Sequence, residues 1–181
     1  MSIREFLGLG KLHAVSSAPA GSADTDTVRK IVASLESMDA ERARFIAAFA
    51  FILCRVARAD LKISSGETAI MEREVMERGN LHEAQAILIV QMAKTESILF
   101  GGTEDYLVTR EFNKIATREE KMALLDCLFA VASDEMISTV EDNEISRICG
   151  ELHIEHDDFI AVRMKFGDKR SVLQKPAQPP Q

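Results

Sequence analysis

Residues 60–67 of the chain read DLKISSGE, and residues 134–141 read DEMISTVE. Both stretches place Asp first, Ile-Ser at the fourth and fifth positions, and Glu last. Each stretch follows a run of apolar and small residues and precedes a segment with apolar residues at helical spacing. We therefore expect the chain to form one unit twice, in which an acidic turn joins two helices.

The Ser and Glu of each stretch have the spacing of a helix-capping box. In the pairs Ser64–Glu67 and Ser138–Glu141, the hydroxyl would accept a hydrogen bond from the third helical N–H, and the carboxylate would accept one from the serine N–H. The helix dipole also favours a negative charge in the first turn. This structural role accounts for both residue types without a ligand.

Capping does not explain the two aspartates, Asp60 and Asp134. Each falls where the preceding helix should end, and there the exposed carbonyls and the negative end of the dipole disfavour a carboxylate. Two interpretations remain open. Each Asp accepts hydrogen bonds from N–H groups of its own turn, or it shares a cation with the Glu of that turn. On the second interpretation the metal ligands are Asp60, Glu67, Asp134 and Glu141.

A cation bound in this way would be held weakly. Calcium and magnesium take about six or more oxygen ligands, whereas each stretch offers two carboxylates, so water or a second contributor must complete the shell. The stretch is not an EF-hand loop, because it lacks the ladder of acidic residues and the closing Glu at the twelfth position. The expected ligand is therefore a weakly bound divalent cation, calcium or magnesium.

The composition predicts an all-α globular protein. Apolar residues make up 46% and charged residues 28% of the chain, with only 9 Gly and 4 Pro to punctuate it. The net charge of −7 disfavours a nucleic-acid partner, which needs a basic face. Three widely spaced cysteines among apolar neighbours indicate reduced core thiols and a cytoplasmic location. No apolar run is long enough to span a bilayer.

The domain organisation follows from the repeated stretch. An offset of 74 residues aligns two pseudo-repeats, at 40–99 and 117–166. A connecting helix at 103–116 would join them, and it would follow a break in the chain at Gly101-Gly102. Together with residues 25–38 they would form a helical domain over 25–166, a bundle of about seven to eight helices. An extension and linker at 1–24 would precede it, and a disordered tail at 167–181 would follow. The helices are expected at 25–38, 40–59, 65–78, 81–99, 103–116, 117–133, 139–152 and 155–166.

The two acidic stretches, each following an apolar helix in a duplicated helical domain, resemble those of the TerB family of tellurite-resistance proteins. The fold is also similar to the N-terminal domain of membrane-tethered DnaJ-type co-chaperones. The resemblance covers roughly residues 40–166, and it implies an all-α bundle. Family acidic residues proposed to bind metal cations match Asp60, Glu67, Asp134 and Glu141. Lys62 departs from the family pattern, because a small or acidic residue is usual at that position.

The function implied by the resemblance is that of a non-enzymatic domain in a bacterial stress response, including resistance to tellurite. The family acts as a partner of other proteins, often near the inner membrane, so an unidentified protein partner there is expected. No small-molecule substrate and no catalytic constellation is evident in the sequence. The alternative is a protein–protein interaction module or a co-chaperone-like scaffold, in which the acidic turns serve only as helix caps.

Overall fold

A computed structural model describes residues 38–170, and within this range the regular structure is helical. Residues 1–37 and 171–181, which include the predicted linker and nearly all of the predicted helix at 25–38, lie outside the described part. The α-helices of the described part are α1 (Ala40–Ala57), α2 (Ser65–Gly79), α3 (Glu83–Ile115), α4 (Arg118–Ala132), α5 (Thr139–Glu151) and α6 (His156–Lys165).

The expected all-α class is confirmed for residues 38–170. Five helices begin and end within two residues of their predicted limits, namely those predicted at 40–59, 65–78, 117–133, 139–152 and 155–166. The described part contains six α-helices, against the seven to eight that were expected for the whole domain. The difference has two sources, a fusion of two predicted helices into α3 and the predicted helix at 25–38 that lies outside the described part.

The central element of the described bundle is α1. All of its residues from Ile46 to Ala57 are buried, and it contacts α2, α3, α4 and α5. A helix that is apolar on all sides can remove its surface from water only when other helices cover it. Because α1 runs directly into the first acidic turn, its position in the core also fixes where that turn lies.

The predicted break at Gly101-Gly102 is wrong, and so is a separate connecting helix at 103–116. The chain is one helix of 33 residues, α3, through this region. Gly101 is buried against the guanidinium group of Arg58, and a Cβ added at this glycine would lie 2.3 Å from Nη2 of Arg58. The glycine therefore permits a close approach of α1 to α3, and it does not end the helix.

Arg58 is held in that position by groups on α3. Its Nε donates to Oγ of Ser97 at 2.9 Å, and its Nη2 donates to both carboxylate oxygens of Asp105 at 2.9 and 3.0 Å. The guanidinium group thus spans two turns of α3 across the Gly101 surface. These bonds are charge-assisted and fix the crossing of the two helices.

Arg55, one turn earlier on α1, is only 2% exposed and carries a second set of contacts. Its guanidinium group donates to Glu144 and to both oxygens of Glu151 on α5, and to Oγ1 of Thr109 on α3. A buried charge is tolerated only when its donors are paired, as they are here. The contacts tie the first half of the chain to the second.

The predicted disordered tail begins too early. Gly167–Lys169 form a 3-10 helix, and the N–H of Ile137 donates to the carbonyl of Lys169 at 2.8 Å. Arg170 donates to Oδ2 of Asp142 at 2.9 Å, and Arg163 pairs with the same carboxylate. Residues 167–170 are therefore held against the second acidic turn, and only 171–181 of the predicted tail remain outside the described part.

The predicted duplication stays a prediction for the domain as a whole. The two acidic turns and their capping are alike, as described below. However, the helix that follows each pair differs greatly, since α3 has 33 residues and α6 has 10. The parallel bridge between Ile137 and Arg170 in the second half is also the only isolated bridge in residues 38–170.

Substitution of the two adjacent glycines by Ala should have opposite effects on stability. Nothing lies within 4 Å of a Cβ added at Gly102, so Gly102→Ala should stabilise the domain by about 0.5–1 kcal/mol through helix propensity. Gly101→Ala must displace Arg58 from its partners, and we expect a net loss of about 1 kcal/mol. Urea denaturation midpoints measure both. Equal stabilisation by the two variants would contradict the packing described for Gly101.

Candidate functional site

The two acidic turns meet at one open cleft of about 460 Å³. The first turn joins α1 to α2, and the second joins α4 to α5. All four residues predicted as metal ligands line this cleft, so the structure brings together side chains that are up to 81 positions apart in the sequence. The lining residues are Asp60, Lys62, Ile63, Ser64, Glu67, Ala132, Asp134, Glu135, Met136, Ser138 and Glu141.

The first predicted capping box is confirmed. Ser64 is the N-cap of α2, and its Oγ accepts from the N–H of Glu67 at 2.9 Å. Oε2 of Glu67 in turn accepts from the N–H of Ser64 at 2.7 Å. Two N–H groups at the start of α2 are thereby satisfied, and the Glu67 side chain is fixed along the floor of the cleft with only 7% exposure.

The second box repeats this arrangement at the start of α5. Oγ of Ser138 accepts from the N–H of Glu141 at 3.2 Å, and Oε2 of Glu141 accepts from the N–H of Ser138 at 2.7 Å. Glu141 is 6% exposed. Ile137, next to this cap, is buried in the core and anchors the turn. Two nearly buried carboxylates therefore face one cleft from two helix N-termini.

Asp60 makes the hydrogen bond that the first interpretation describes. Its Oδ1 accepts from the N–H of Lys62 at 2.9 Å, within its own turn, and the side chain is exposed. The residue between them, Leu61, has a φ of 69° and is 88% exposed. The first acidic turn thus holds a large apolar residue in a left-handed backbone conformation, in which Gly or Asn is the usual residue.

Asp134 behaves differently, because its carboxylate crosses the cleft to the other half. Oγ of Ser64 donates to Oδ2 of Asp134 at 3.0 Å. A Cβ added at Gly66 would lie 2.1 Å from both carboxylate oxygens, so the carboxylate rests directly on the first turn of α2. This explains how the negative charge of Asp134 is tolerated, since the N-terminus of a helix carries partial positive charge.

The reverse contact, between Asp60 and the start of α5, is not made in residues 38–170. Val140 occupies the position in the second stretch that Gly66 occupies in the first, and it is 53% exposed. A valine side chain therefore stands in the second stretch at the position where the first stretch has only a hydrogen atom. Asp60 accordingly remains with its own turn, and the cleft is asymmetric although the two sequences are alike.

Burial, and to a smaller extent nearby negative charge, raises the pKa of both glutamates. Desolvation raises the pKa of Glu67 above its ordinary value, and the charges of Glu141 and Asp60 raise it further, against hydrogen bonds from Ser64 that lower it. Desolvation and the charge of Asp60 raise the pKa of Glu141 in the same way, against the bonds from Ser138. The cleft therefore disfavours its own negative charge and should attract cations.

The side chains of the cleft do not form a preassembled metal site. In the part of the chain that the structure describes, no group of three or more His, Cys, Asp or Glu side chains is placed so that it could hold a metal ion. Lys62 adds a positive charge to the cleft wall. The geometry provides carboxylate acceptors on two sides of an open cleft, but a cation there would need water ligands or movement of a side chain.

Comparison with known proteins places these features in a family. A family model described as "Tellurite resistance protein TerB" matches residues 45–164, about two-thirds of the chain and nearly all of the described part. The chain belongs to the TerB family. The match includes both acidic turns and the whole of α2 to α5, which agrees with the resemblance seen in the sequence. No curated protein and no solved structure that we compared with this TerB-family chain gave a significant match.

Two other expectations concern the rest of the TerB-family domain. Cys54, Cys127 and Cys149 are free and buried, as predicted. Burial raises the pKa of each thiol to about 12, so none is a reactive thiolate. Among the helices of residues 38–170, none has the length and apolarity needed to cross a bilayer.

Sequence reasoning identified the four carboxylates but missed what distinguishes them. Gly66 and the bond between Ser64 and Asp134 were not predicted, although the difference between Gly66 and Val140 at the same position of the two stretches was a usable signal. Glu135 and Met136, which also line the cleft, were not predicted either. No local sequence feature indicates that they face the opposite turn.

The two capping serines should differ in their importance for stability. Ser138→Ala removes only a cap, which costs about 1 kcal/mol. Ser64→Ala removes a cap and also the hydroxyl that Asp134 accepts from, so we expect a loss nearer to 2 kcal/mol, because hydrogen bonds to charged groups are stronger than neutral ones. Chemical denaturation of both variants provides the comparison. Equal losses would show that Asp134 gains nothing from Ser64.

The raised pKa values of Glu67 and Glu141 make a specific contribution to the pH dependence of stability. Because the folded pKa of each group lies above its ordinary value of 4.5, the folded state binds more protons than the unfolded state does. The free energy of unfolding that these groups contribute should therefore fall as the pH rises from about 4.5 through their folded pKa values. Glu67→Gln with Glu141→Gln keeps both capping boxes and should remove this fall.

Other groups titrate in the same pH region, so the variant must be compared with the wild type at each pH. Burial acts to raise the pKa of Asp142, but its bonds with Arg163 and Arg170 lower the pKa overall. The ionised carboxylate of Asp142 therefore stabilises the folded state, and this contribution is lost as the pH falls. The difference in urea midpoint between the double variant and the wild type isolates the two glutamates. A difference that does not grow between pH 4.5 and pH 7 would contradict the assigned direction.

Proposed function

We propose that this TerB-family domain binds a divalent cation, calcium or magnesium, in the cleft between its acidic turns. The observation that supports the proposal is the placement of Glu67 and Glu141, two nearly buried carboxylates with raised pKa values, on one open cleft beside Asp60. A divalent cation would remove the repulsion among the three charges. Carboxylate oxygens are the ligands that both ions prefer.

The affinity should be low, for reasons that lie in the same contacts. One oxygen of each glutamate already accepts a hydrogen bond from a serine N–H, and Asp134 rests on α2. Lys62 lines the cleft and competes with a cation for the negative charge. We therefore propose dissociation constants on the order of 1 mM, as in weak, water-completed calcium sites.

The proposed role is that of a non-enzymatic domain in a stress response of the tellurite-resistance type. The family description, which names tellurite resistance, supports the stress-response part of this role. The acidic cleft supports a regulatory use, because a weak site responds to changes in cation concentration that a tight site would not register. A cytoplasmic location and a protein partner at the inner membrane belong to the same proposal.

A protein–protein interaction module, such as a co-chaperone-like scaffold, is the second candidate. The completeness of both capping boxes favours it, because Glu67 and Glu141 then need no cation to explain their presence. Leu61 and Val140, at 88% and 53% exposure, also add apolar surface next to the cleft residues, which a partner protein could cover. On this candidate the acidic turns are structural.

Titration with calcium and magnesium distinguishes the two candidates. A cation that binds only the folded state stabilises it by RT ln(1 + [L]/Kd), which is about 1.4 kcal/mol at ten times Kd. For a domain of this size we expect the melting temperature to rise by roughly 3–6 °C at 10 mM cation. The rise should be absent in the variant with Glu67→Gln and Glu141→Gln, which retains the caps.

The matched control is Glu72→Gln with Glu77→Gln, which removes the same charge from two residues of α2 that do not line the cleft. This variant should respond to cations as the wild type does. A melting temperature that does not change with either cation would sink the cation proposal and leave the interaction module. An equal response in both double variants would show screening of net charge and not a site.

A further inference from the structure

The two acidic turns are held in different ways, although their capping boxes are alike. In the second turn, the N–H of Ile137 donates to the carbonyl of Lys169 at 2.8 Å, and this contact belongs to the parallel bridge between Ile137 and Arg170. Because this is the only isolated bridge in residues 38–170, the first turn has no counterpart at Ile63, which occupies the same position in its stretch. The second turn is thus tied to the segment after α6 by a backbone contact that the first turn lacks.

The segment that makes this contact, residues 167–170, is held at both ends, and we call it the brace. Just before it, the ring of Phe166 stacks on the buried ring of Phe129, with 5.5 Å between the two centroids. At its end, Nη2 of Arg170 donates to Oδ2 of Asp142 on α5 at 2.9 Å. Asp142 is 6% exposed, so this charge-assisted bond is shielded from water and should be stronger than a surface ion pair.

The brace contacts the second turn on both sides of its capping box. Ile137 directly precedes Ser138, the N-cap of α5, and Asp142 directly follows Glu141, the other member of the box. The brace bonds with the backbone N–H of Ile137 and with the carboxylate of Asp142. The two residues that it holds therefore flank the box that places the Glu141 carboxylate in the cleft.

We propose that Arg170 is a positioning residue for the cleft, because through Asp142 it holds the brace on α5, and the brace fixes the capping box that places Glu141. Arg163 binds the same carboxylate from within α6, so Arg170 is the residue whose side chain ties the brace itself. The effect on cation affinity rests on the cation binding proposed above, whereas the effect on the capping box does not. The coupling is reciprocal, so a bound cation would strengthen the hold of the brace by the same factor.

The sign of the change in cation affinity separates positioning from simple electrostatics. Arg170→Ala removes a positive charge near an acidic cleft, and that change alone would tighten the binding of a cation. Loss of the fixed position of Glu141 would weaken it. We expect the dissociation constant for calcium, measured by calorimetry on the full-length protein, to rise about five-fold or more in Arg170→Ala. Unchanged or tighter binding in a variant whose wild type binds calcium would overturn the proposal.

Amide hydrogen exchange, followed by NMR, tests the brace without any cation. In Arg170→Ala, the N–H groups of Ile137, Ser138 and Glu141 should exchange about ten-fold faster, as the loss of one hydrogen bond to a charged group implies. The N–H groups of the first capping box should exchange as in the wild type. Equal acceleration in both boxes would show only a general loss of stability, and acceleration at Ile137 alone would show a brace that does not fix the box. Either result would overturn the proposal.

Two further variants serve as controls. Nε of Arg170 is buried without a hydrogen-bond partner among residues 38–170, whereas a lysine keeps the charge that pairs with Asp142 and has no such donor. Arg170→Lys should therefore recover at least part of both readings. Lys165→Ala removes the same charge and breaks a 2.8 Å ion pair with Asp126, neither of which lines the cleft, and it should behave as the wild type. No recovery in Arg170→Lys, or an equal response in Lys165→Ala, would overturn the assignment.

The wild type alone decides the case in which Arg170→Ala does not fold. If the brace fixes the capping box, the box opens only when the brace opens, so the protection factors of Ile137, Ser138 and Glu141 must agree within about three-fold. Much faster exchange in the box than at Ile137 would overturn the proposal. Should calcium leave the wild type unchanged, the cation proposal fails, while the exchange measurements still decide whether Arg170 positions the box.

Discussion

The burial of α1 together with the charge of Arg55 is the constraint on which the rest of the fold depends. A helix that is covered on all sides sets the positions of the elements around it, and a buried guanidinium group must find its acceptors among them. Glu144 and Glu151 on α5 supply these acceptors, so the second half of the chain can pack on α1 in only one register. That register brings the turn before α5 opposite the turn after α1.

In this register the N-termini of α2 and α5 meet, and the cleft lies between them. Each N-terminus satisfies its own N–H groups with a serine and a glutamate, and the two glutamates then share one cavity. Their raised pKa values are the electrostatic consequence of a packing arrangement that Arg55 and the core of α1 impose. A cleft that disfavours its own charge is stabilised by whatever neutralises it, whether a proton, a cation or a basic partner.

Much of the fold and of the site could be predicted because the signals are local. Helical spacing, capping boxes and the repeated stretch gave five helices and four cleft residues. The errors concern contacts between residues far apart in the sequence. Gly101 reads as a helix break unless the packing of Arg58 is known, and the acceptors of Arg55 lie 89 and 96 positions away. Helical periodicity in the sequence does not predict contacts between residues so far apart.

The asymmetry of the cleft indicates which carboxylate a cation would benefit most. Glu67, Glu141 and Asp134 each lie at a helix N-terminus, where backbone N–H groups or a capping hydroxyl already offset the charge. Within residues 38–170, the carboxylate of Asp60 accepts a hydrogen bond only from the N–H of Lys62, and its charge raises the pKa of both glutamates. Among residues 38–170, Lys62 is the basic residue that lines the cleft, so Lys62 or a cation from outside the chain could neutralise Asp60. The two stretches differ at the seventh position, with Gly66 in the first and Val140 in the second. Asp134 rests on Gly66, and Asp60 is the carboxylate that remains available to a cation.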